Sequence, residues 1–542
     1  MSCRKEVSID ENTRPNIIFI MSDDHTSQAF GIYKSRLASL NPTPNLDKLA
    51  KEGMIFENCF VNNSICTPSR AAIITGQNSQ ANGVLDLEGV LRKNQQYLPI
   101  EMNKLGYQTA MIGKWHLTAQ PNFDYYNILT DHHQQGTYFN PVFTETGMPY
   151  ALWDEPAFKG REYKGHSTDI ITDLTIDWLK SKRDKGKPFF LMHHYKAPHD
   201  DFEHAPRYRD YLADTEIPEP ESLYDNGNNG SEATRGKNDS LIHIIGSSVS
   251  KRNNIRNMGM RIWSTQHTER SNPEFNPHQI DGATDKEYTY KTYQEYVKRY
   301  LRCVKGVDDN IGRLIRFLKD EGLYNNTIII YTADQGFMLG EHDYIDKRWM
   351  YEESLRMPFF MRYPAQIKAN TRTDAIINNT DFAPTLISLA GGNPPKKMQG
   401  HDFSQILKTG EEPKDWQQAT YYRYWMHMAH KHANPAHFGI RTKQYKLIFY
   451  YGRYWVDTDD KNATWNKGSW GNKFDIHTPA AWEFYDLTKD SKEMNNAYTN
   501  PEYKYIIEDL KEQLIAKRKE LNEEDGEKYP HIQKVIDRHW ND

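Results

Sequence analysis

Asn16-Ile17-Ile18-Phe19-Ile20-Met21-Ser22-Asp23-Asp24 is a short, unbroken apolar run that ends in two adjacent carboxylates. A run of this length, rich in branched residues and lacking helical periodicity, predicts a strand buried on both faces. Residues 108–112 (QTAMI), 188–194 (PFFLMHH) and 327–332 (TIIIYT) have the same character, and helical patterns lie between them over 44–52, 168–182 and 289–321. That alternation fits an α/β fold with a mostly parallel sheet and crossover helices. Each run is followed by polar residues: Asp23-Asp24, then Lys114 and His116, then His199, then Asp334-Gln335. Sites in open α/β sheets lie beyond the carboxyl ends of the strands, so these four segments are expected along one sheet edge.

The polar residues form a coherent chemical set. Asp23, Asp24 and Asp334 are hard oxygen donors and Gln335 adds a neutral carbonyl oxygen, a set that suits Ca²⁺, or Mg²⁺, over zinc or copper. The alternative for an acidic pair is a solvated turn or a helix cap. A second cluster is Cys66-Thr67-Pro68-Ser69-Arg70, leading into Ala71-Ala72-Ile73-Ile74-Thr75-Gly76. Pro68 suits an early helical position and Ser69 can bond free backbone N–H groups there, so Cys66 is expected at a positive helix end beside Arg70, where an activated nucleophile or an anion is favoured. The bland alternative is a buried free thiol.

At 542 residues the chain is long enough for a large domain and a smaller one. A net charge of -5 and the lack of a basic run exclude a general nucleic-acid surface. The four cysteines show no Cys-x-x-Cys spacing and imply no disulfide framework. No apolar run reaches the length of a membrane span, and residues 1–15 do not read as a signal peptide. Cys3 invites comparison with the lipid-attachment cysteine of a processed bacterial lipoprotein, the alternative being an ordinary exposed cysteine. Residues 225–272 are mostly polar apart from 241–245 and read as an elaborated loop near the substrate.

Cys66-Thr67-Pro68-Ser69-Arg70 followed by Thr75-Gly76 resembles the signature of the type I sulfatases of the alkaline phosphatase superfamily. The resemblance implies that Cys66 is oxidised to formylglycine by a separate maturation enzyme and that its hydrated aldehyde is the nucleophile. Other segments carry the same resemblance. Residues 16–24 resemble the family's opening strand, with Asp23 and Asp24 binding calcium, and 332–336 (TADQG) its second metal segment, although the position of Gln335 varies in the family. Gly113-Lys114-Trp115-His116-Leu117 is similar to the family segment in which lysine and histidine contact sulfate and the formylglycine. Ala197-Pro198-His199-Asp200 is similar to the element whose histidine protonates the leaving alcohol oxygen. Gly340-Glu341-His342-Asp343 through Lys347 to Pro358 resembles a further family segment, with Asp343 where glycine is usual. The implied catalytic set is therefore Cys66, Arg70, Lys114, His116, His199 and Lys347, with His25 and His342 as structural neighbours.

The resemblance further implies a catalytic domain over 1–410 and a C-terminal α+β subdomain over 411–542 that contributes to the substrate site, with strands around 441–448 and 483–487. Arg423, His427, His430, His432 and His437 lie in an aromatic stretch that this subdomain is expected to place over the site mouth, Arg423, His427 and His437 being read as substrate-binding. The segments around His199 and these histidines resemble bacterial carbohydrate sulfatases that remove 6-O-sulfate from glucosamine units of heparin and heparan sulfate. The expected partner is thus a sulfated saccharide, in an exported protein whose leader is absent from this chain, a cytoplasmic location staying open. A galactosamine or uronic-acid sulfate, a phosphonate or phosphodiester substrate, and a non-catalytic sulfoglycan-binding role remain as alternatives.

Overall fold

The 16–24 run forms the central strand of a ten-stranded sheet in the computed structural model, which describes residues 14–152, 155–156, 158–224, 229–263, 283–465 and 471–542. Cys3 and parts of 225–272 lie outside these described residues. In chain order the strands are β1 (Asn16–Asp23), β2 (Met54–Phe60), β3 (Gln108–Gly113), β4 (Tyr125–Leu129), β5 (Val142–Glu145), β6 (Arg161–Glu162), β7 (Phe189–Pro198), β8 (Thr327–Ala333), the short pair β9 (Met338–Leu339) and β10 (Ile345–Asp346), then β11 (Phe359–Arg362) and β12 (Thr371–Asn378). The large sheet runs β12-β2-β11-β8-β1-β7-β3-β4-β5-β6. β1 lies parallel between β8 and β7, with Phe19 opposite Ile330 and Met192, and β3 runs parallel to β7 and β4. β11, β5 and β6 are antiparallel to their neighbours, so the sheet is mixed but mostly parallel.

The unbroken hydrophobicity of β1 follows from helices covering both faces. Ile17, Phe19 and Met21 point into one core with Ile73 and Ile74 of the helix Cys66–Thr75 (α2 below) and Phe382 and Leu386 of Phe382–Leu389. Ile18 and Ile20 point into the other, with Leu46 and Leu49 of the helix Pro44–Lys51 (α1), Ile171 of Ser167–Asp177, and Val297 and Leu301 of Asp285–Asp320. Each such side chain contributes roughly 1.5–3 kcal/mol by leaving water. Asp308 of the long helix accepts hydrogen bonds from the backbone N–H groups of Asn45 and Leu46, both at 2.9 Å, and so caps the start of α1 across the layer.

A second sheet is a four-stranded antiparallel meander, β13 (Ala419–Tyr424), β14 (His437–Thr442), β15 (Tyr445–Tyr450) and β16 (Ala481–Asp486). The stretch expected as strand around 441–448 is a hairpin, breaking between Thr442 and Tyr445. Leu510 and Leu514 of the helix Lys504–Glu520 pack on Phe438, Phe449 and Phe484. Among the described residues no helix is long and apolar enough to cross a membrane.

Candidate active site

The ends of β1, β3, β7 and β8 converge with the start of α2. The chain leaves β1 through Asp24, whose φ of 64° is left-handed. Tyr300 of the long helix pins that turn: its hydroxyl donates to the Asp24 carbonyl at 2.7 Å and accepts from the Thr26 N–H at 2.9 Å. His25, inside the turn, stacks on Phe30 and bonds the Tyr331 hydroxyl, a structural neighbour as expected.

Cys66 opens α2, with Pro68 in the first turn and Ile65 extended before it. Ser69 does not cap the helix as the sequence predicted. Its hydroxyl donates to the Asp334 carbonyl and accepts from Asn379 Nδ2 at 3.0 Å, tying α2 to the end of β8. Cys66 is 2 % exposed, and its Sγ lies 3.3 Å from Asp23 Oδ1 and 3.4 Å from Lys347 Nζ. Burial and the charge of Asp23 push the thiol pKa up, so the residue as a cysteine is protonated and unreactive near neutrality. The helix end does not activate it.

Three cations face three buried carboxylates. Arg70 Nη2 donates to Asp334 Oδ2 at 2.8 Å, Lys114 pairs with Asp23, and Lys347 Nζ reaches both oxygens of Asp24 at 2.6 Å. Lys114 also donates to Gln135 Oε1 at 2.6 Å. Burial, reinforced by Asp23, pushes Asp334 up to about 6. Burial and the neighbouring Asp23 and Asp334 raise Asp24 too, despite Lys347. For Asp23 burial is outweighed: Lys114, His199 and Arg70 hold it well below the usual range.

Asp23, Asp24 and Asp334 each offer a carboxylate oxygen, all within 4.8 Å of one another. Gln335 Nε2 donates to Asp24, while its Oε1 is buried with no partner among the described residues. Three carboxylates, two of them reluctant to ionise together, beside an unsatisfied amide oxygen fit a hard divalent cation.

His199 lies beside the thiol and Asp23. His199 Nε2 lies 3.8 Å from Asp24 Oδ2, and Nδ1 lies 3.1 Å from Asp200 Oδ1. Burial and Lys114 hold His199 down to about 4. His116, at φ 55°, contacts Gln135 through Nε2 at 3.1 Å, and burial, Lys114 and Arg70 keep its pKa low. Asp343 takes a φ of 63°, a conformation open to glycine and tolerated by aspartate, and its carboxylate accepts from Ser250 N at 2.8 Å and Arg252 Nε at 3.0 Å. The loop that presents Lys347 is thereby anchored to the polar segment after residue 229.

The three residues read as substrate-binding are all buried, and His437 stacks on Trp349, two residues beyond Lys347. Arg423 is 1 % exposed, bonds Asp525 at 2.6 Å and stacks on Trp425. His427 is fully buried with both ring nitrogens committed to backbone, Nε2 to the Ile476 carbonyl and Nδ1 to the Ala436 N–H. His437 is buried among Tyr422, Tyr424 and Tyr450. All three belong to the core of the second sheet and its flanks. His432 instead reaches the site's surroundings, 3.3 Å from Asp346 Oδ2, and His430 lies among Arg348, Arg256 and Asp346. Gln135, Asp200, Arg256, Arg261 and Arg348 were missed as site neighbours; only Asp200 and Arg348 had a signal, each adjoining a residue already singled out.

The sulfatase family profile matches residues 15–392, and the profile described as N-sulphoglucosamine sulphohydrolase, C-terminal, matches 340–462 and 474–520. The chain is 37 % identical to an N-acetylglucosamine-6-O-sulfatase of Bacteroides thetaiotaomicron, over 95 % of this chain and 88 % of that protein. It is 26 % identical to an arylsulfatase of Clostridium perfringens, over 93 % and 94 %. A protein solved in complex with its substrate D-glucosamine-2-N,6-O-disulfate superposes with a TM-score of 0.78 at 37 % identity, covering 95 % of this chain and 99 % of that one.

Proposed function

The chain belongs to the sulfatase family, and from that premise we propose that it hydrolyses the 6-O-sulfate of an N-acetylated or N-sulfated glucosamine unit from heparin or heparan sulfate. The substrate is supported by the relative named as an N-acetylglucosamine-6-O-sulfatase and by the likeness to a protein bound to glucosamine disulfate, both over nearly the whole chain. The reaction is carried by one observation: Cys66 lies at the focus of two lysines, an arginine and three carboxylates in a water-poor site.

In this reading Cys66 acts as formylglycine, made by a separate maturation enzyme, whose hydrate supplies an oxygen nucleophile with a second hydroxyl for later release of sulfate. Asp23, Asp24, Asp334 and Gln335 would hold a divalent cation, Ca²⁺ or Mg²⁺, which supplies Lewis-acid polarisation of sulfate oxygens. Lys347 and Lys114 hold fixed positive charge beside position 66 and stabilise negative charge on the sulfonyl oxygens as the S–O bond breaks. Arg70 anchors Asp334 and leaves Asp23 3.5 Å from its Nη2, which keeps the carboxylates in place. His199 Nε2 faces the cluster and, from the doubly protonated ring, gives its proton to the departing sugar oxygen, and His116, held neutral, takes a proton from the second hydroxyl at position 66 as sulfate leaves. The catalytic chemistry is assigned to residues 1–410. The 411–542 portion supports the mouth of the site through His430 and His432.

Mass analysis of the peptide carrying Cys66, followed by turnover of a panel of sulfated mono- and disaccharides beside phosphate mono- and diesters, tests the reading. Formylglycine and preferential release of sulfate from glucosamine 6-sulfates are expected. Plain cysteine in protein from the native host, or faster phosphodiester turnover, would count against it.

A further inference from the structure

His199 does not stand alone. Its Nδ1 faces two acceptors of the next residue, the Asp200 carboxylate oxygen Oδ1 at 3.1 Å and the Asp200 carbonyl at 3.4 Å. Neither can donate, so the ring nitrogen on that side carries the proton, and Nε2 is left on the side of the cluster. The His199 backbone is fixed as well, with its carbonyl accepting from the Tyr138 hydroxyl at 2.6 Å and its N–H donating to the Lys196 carbonyl at 3.1 Å.

Asp200 is itself held from far along the chain. Its Oδ2 accepts from Arg261 Nη1 at 2.5 Å and faces Arg256 Nη2 at 3.4 Å, while Arg261 Nη2 reaches Asp201 at 2.9 Å. Both arginines sit on a built scaffold. Asn253 Oδ1 accepts from the Arg256 N–H at 2.9 Å, and Asn257 caps the helix Met258–Ile262 that carries Arg261. The segment expected from its polarity to be a loop near the substrate thus commits two of its arginines to one carboxylate.

We propose that Asp200, clamped by Arg256 and Arg261, is the positioning residue of His199: it fixes the ring so that Nε2 is the nitrogen presented to the sugar oxygen. The proposal rests on the reading of His199 as the group that protonates the leaving oxygen. In that step the bond between sulfur and the sugar oxygen breaks with its electron pair going to oxygen. That oxygen takes the Nε2 proton of a doubly protonated ring, charged when the anionic sulfate ester lies beside it, and the neutral imidazole that remains keeps its Nδ1 proton on Asp200. Without Asp200 the ring is free to rotate or to carry its proton on the wrong nitrogen, an error that costs on the order of 10⁴-fold in the serine-protease triad.

The test is a double-mutant cycle on the full-length, cofactor-loaded enzyme with the sulfated monosaccharide it turns over fastest, Asp200→Ala and His199→Ala being made singly and together. Asp200→Ala is expected to lower kcat about 100-fold with KM within about threefold, and to lower the melting temperature through the loss of the partner of Arg256 and Arg261, so kcat is read below the transition, on folded protein. In the His199→Ala background the same change is expected to cost less than about threefold, because the group it positions is gone. Asp200→Asn, which keeps the volume, provides the same comparison should the alanine variant fold poorly. An equal loss in both backgrounds, or no loss in the first, would overturn the positioning role. A His199→Ala enzyme with unchanged kcat would instead overturn the reading of His199 itself.

Discussion

Lys347 Nζ lies 3.4 Å from Cys66 Sγ while bonding both carboxylate oxygens of Asp24 at 2.6 Å. One ammonium thus touches the reacting position and a metal-ligand candidate at once. Asp24 raises the pKa of Lys347 well above the ordinary lysine value against the opposing effect of burial, so the charge is permanent.

Lys347→Ala is therefore expected to lower kcat by about 10²–10³-fold, the scale of losing one aimed electrostatic donor. Lys347→Arg should recover little, since a planar fork does not replace a compact ammonium in a fully buried slot. Steady-state kinetics with a melting curve as control decides it. A kcat within threefold of the parent would remove Lys347 from the machinery.

Cys66→Ser is expected to abolish turnover while leaving the melting temperature nearly unchanged, because the exchange of sulfur for oxygen at a site already lined by Asp23 and Lys347 leaves the packing intact. Any unconverted fraction should resist alkylation of residue 66 at pH 7, since its thiol is buried and its pKa raised. Steady-state kinetics with a melting curve reads the first, and mass analysis after iodoacetamide treatment of folded protein reads the second.

Removal of divalent cations should destabilise the protein in a pH-dependent way. The carboxyl of Asp334 is raised from 3.8 to about 6, and that of Asp24 is raised also. A carboxyl with a raised folded-state pKa gives stability that is full below its ordinary value and is lost as pH rises through the folded one. The cation-free protein carries this loss by pH 7, and a bound cation relieves it. The rise in Tm on adding Ca²⁺ or Mg²⁺ to chelator-treated protein is thus expected to be larger at pH 7 than at pH 5; an equal rise at both would contradict the assignment.

Arg423→Ala is expected to cost about 1.5–3 kcal/mol by removing one of the two arginines on buried Asp525, Arg518 staying on the other oxygen, with KM for the sugar sulfate unchanged in the folded fraction. Burial holds His427 and His437 down to about 3, so they contribute stability present above 6.5 that is lost as pH falls toward their folded values. Replacing either with glutamine should flatten the acid limb of the Tm profile. A tenfold rise in KM from any of the three substitutions would return them to the substrate site.

The strands that carry the site were legible because burial on both faces leaves a run of branched residues with nothing to interrupt it until the polar residues at its end. β2, β11 and β12 were passed over, being less continuous: Glu57 and Asn58 interrupt the first, and Arg372 and Asp374 the last. Arg423 and His427 are committed to Asp525 and to backbone groups, a commitment that polar residues clustered in sequence do not reveal. The Asp200 clamp was invisible for a different reason. Its arginines stand 56 and 61 residues away in a segment whose polarity reads as solvent, and a buried ion pair leaves no periodic trace.

The near-complete enclosure of Cys66 in the first turn of α2 also fixes an order of events in the life of the chain. With 2 % of its surface open and Asp23, Lys347 and Gln335 closed around it, the finished protein offers no path by which a second macromolecule could grip residues 66–70 in extended form. If another protein oxidises that side chain, as the proposed function requires, it does so while β1 and α2 are still apart, and the speed of folding then competes with the conversion. A variant that folds more slowly but arrives at the same structure should carry a higher converted fraction than the parent.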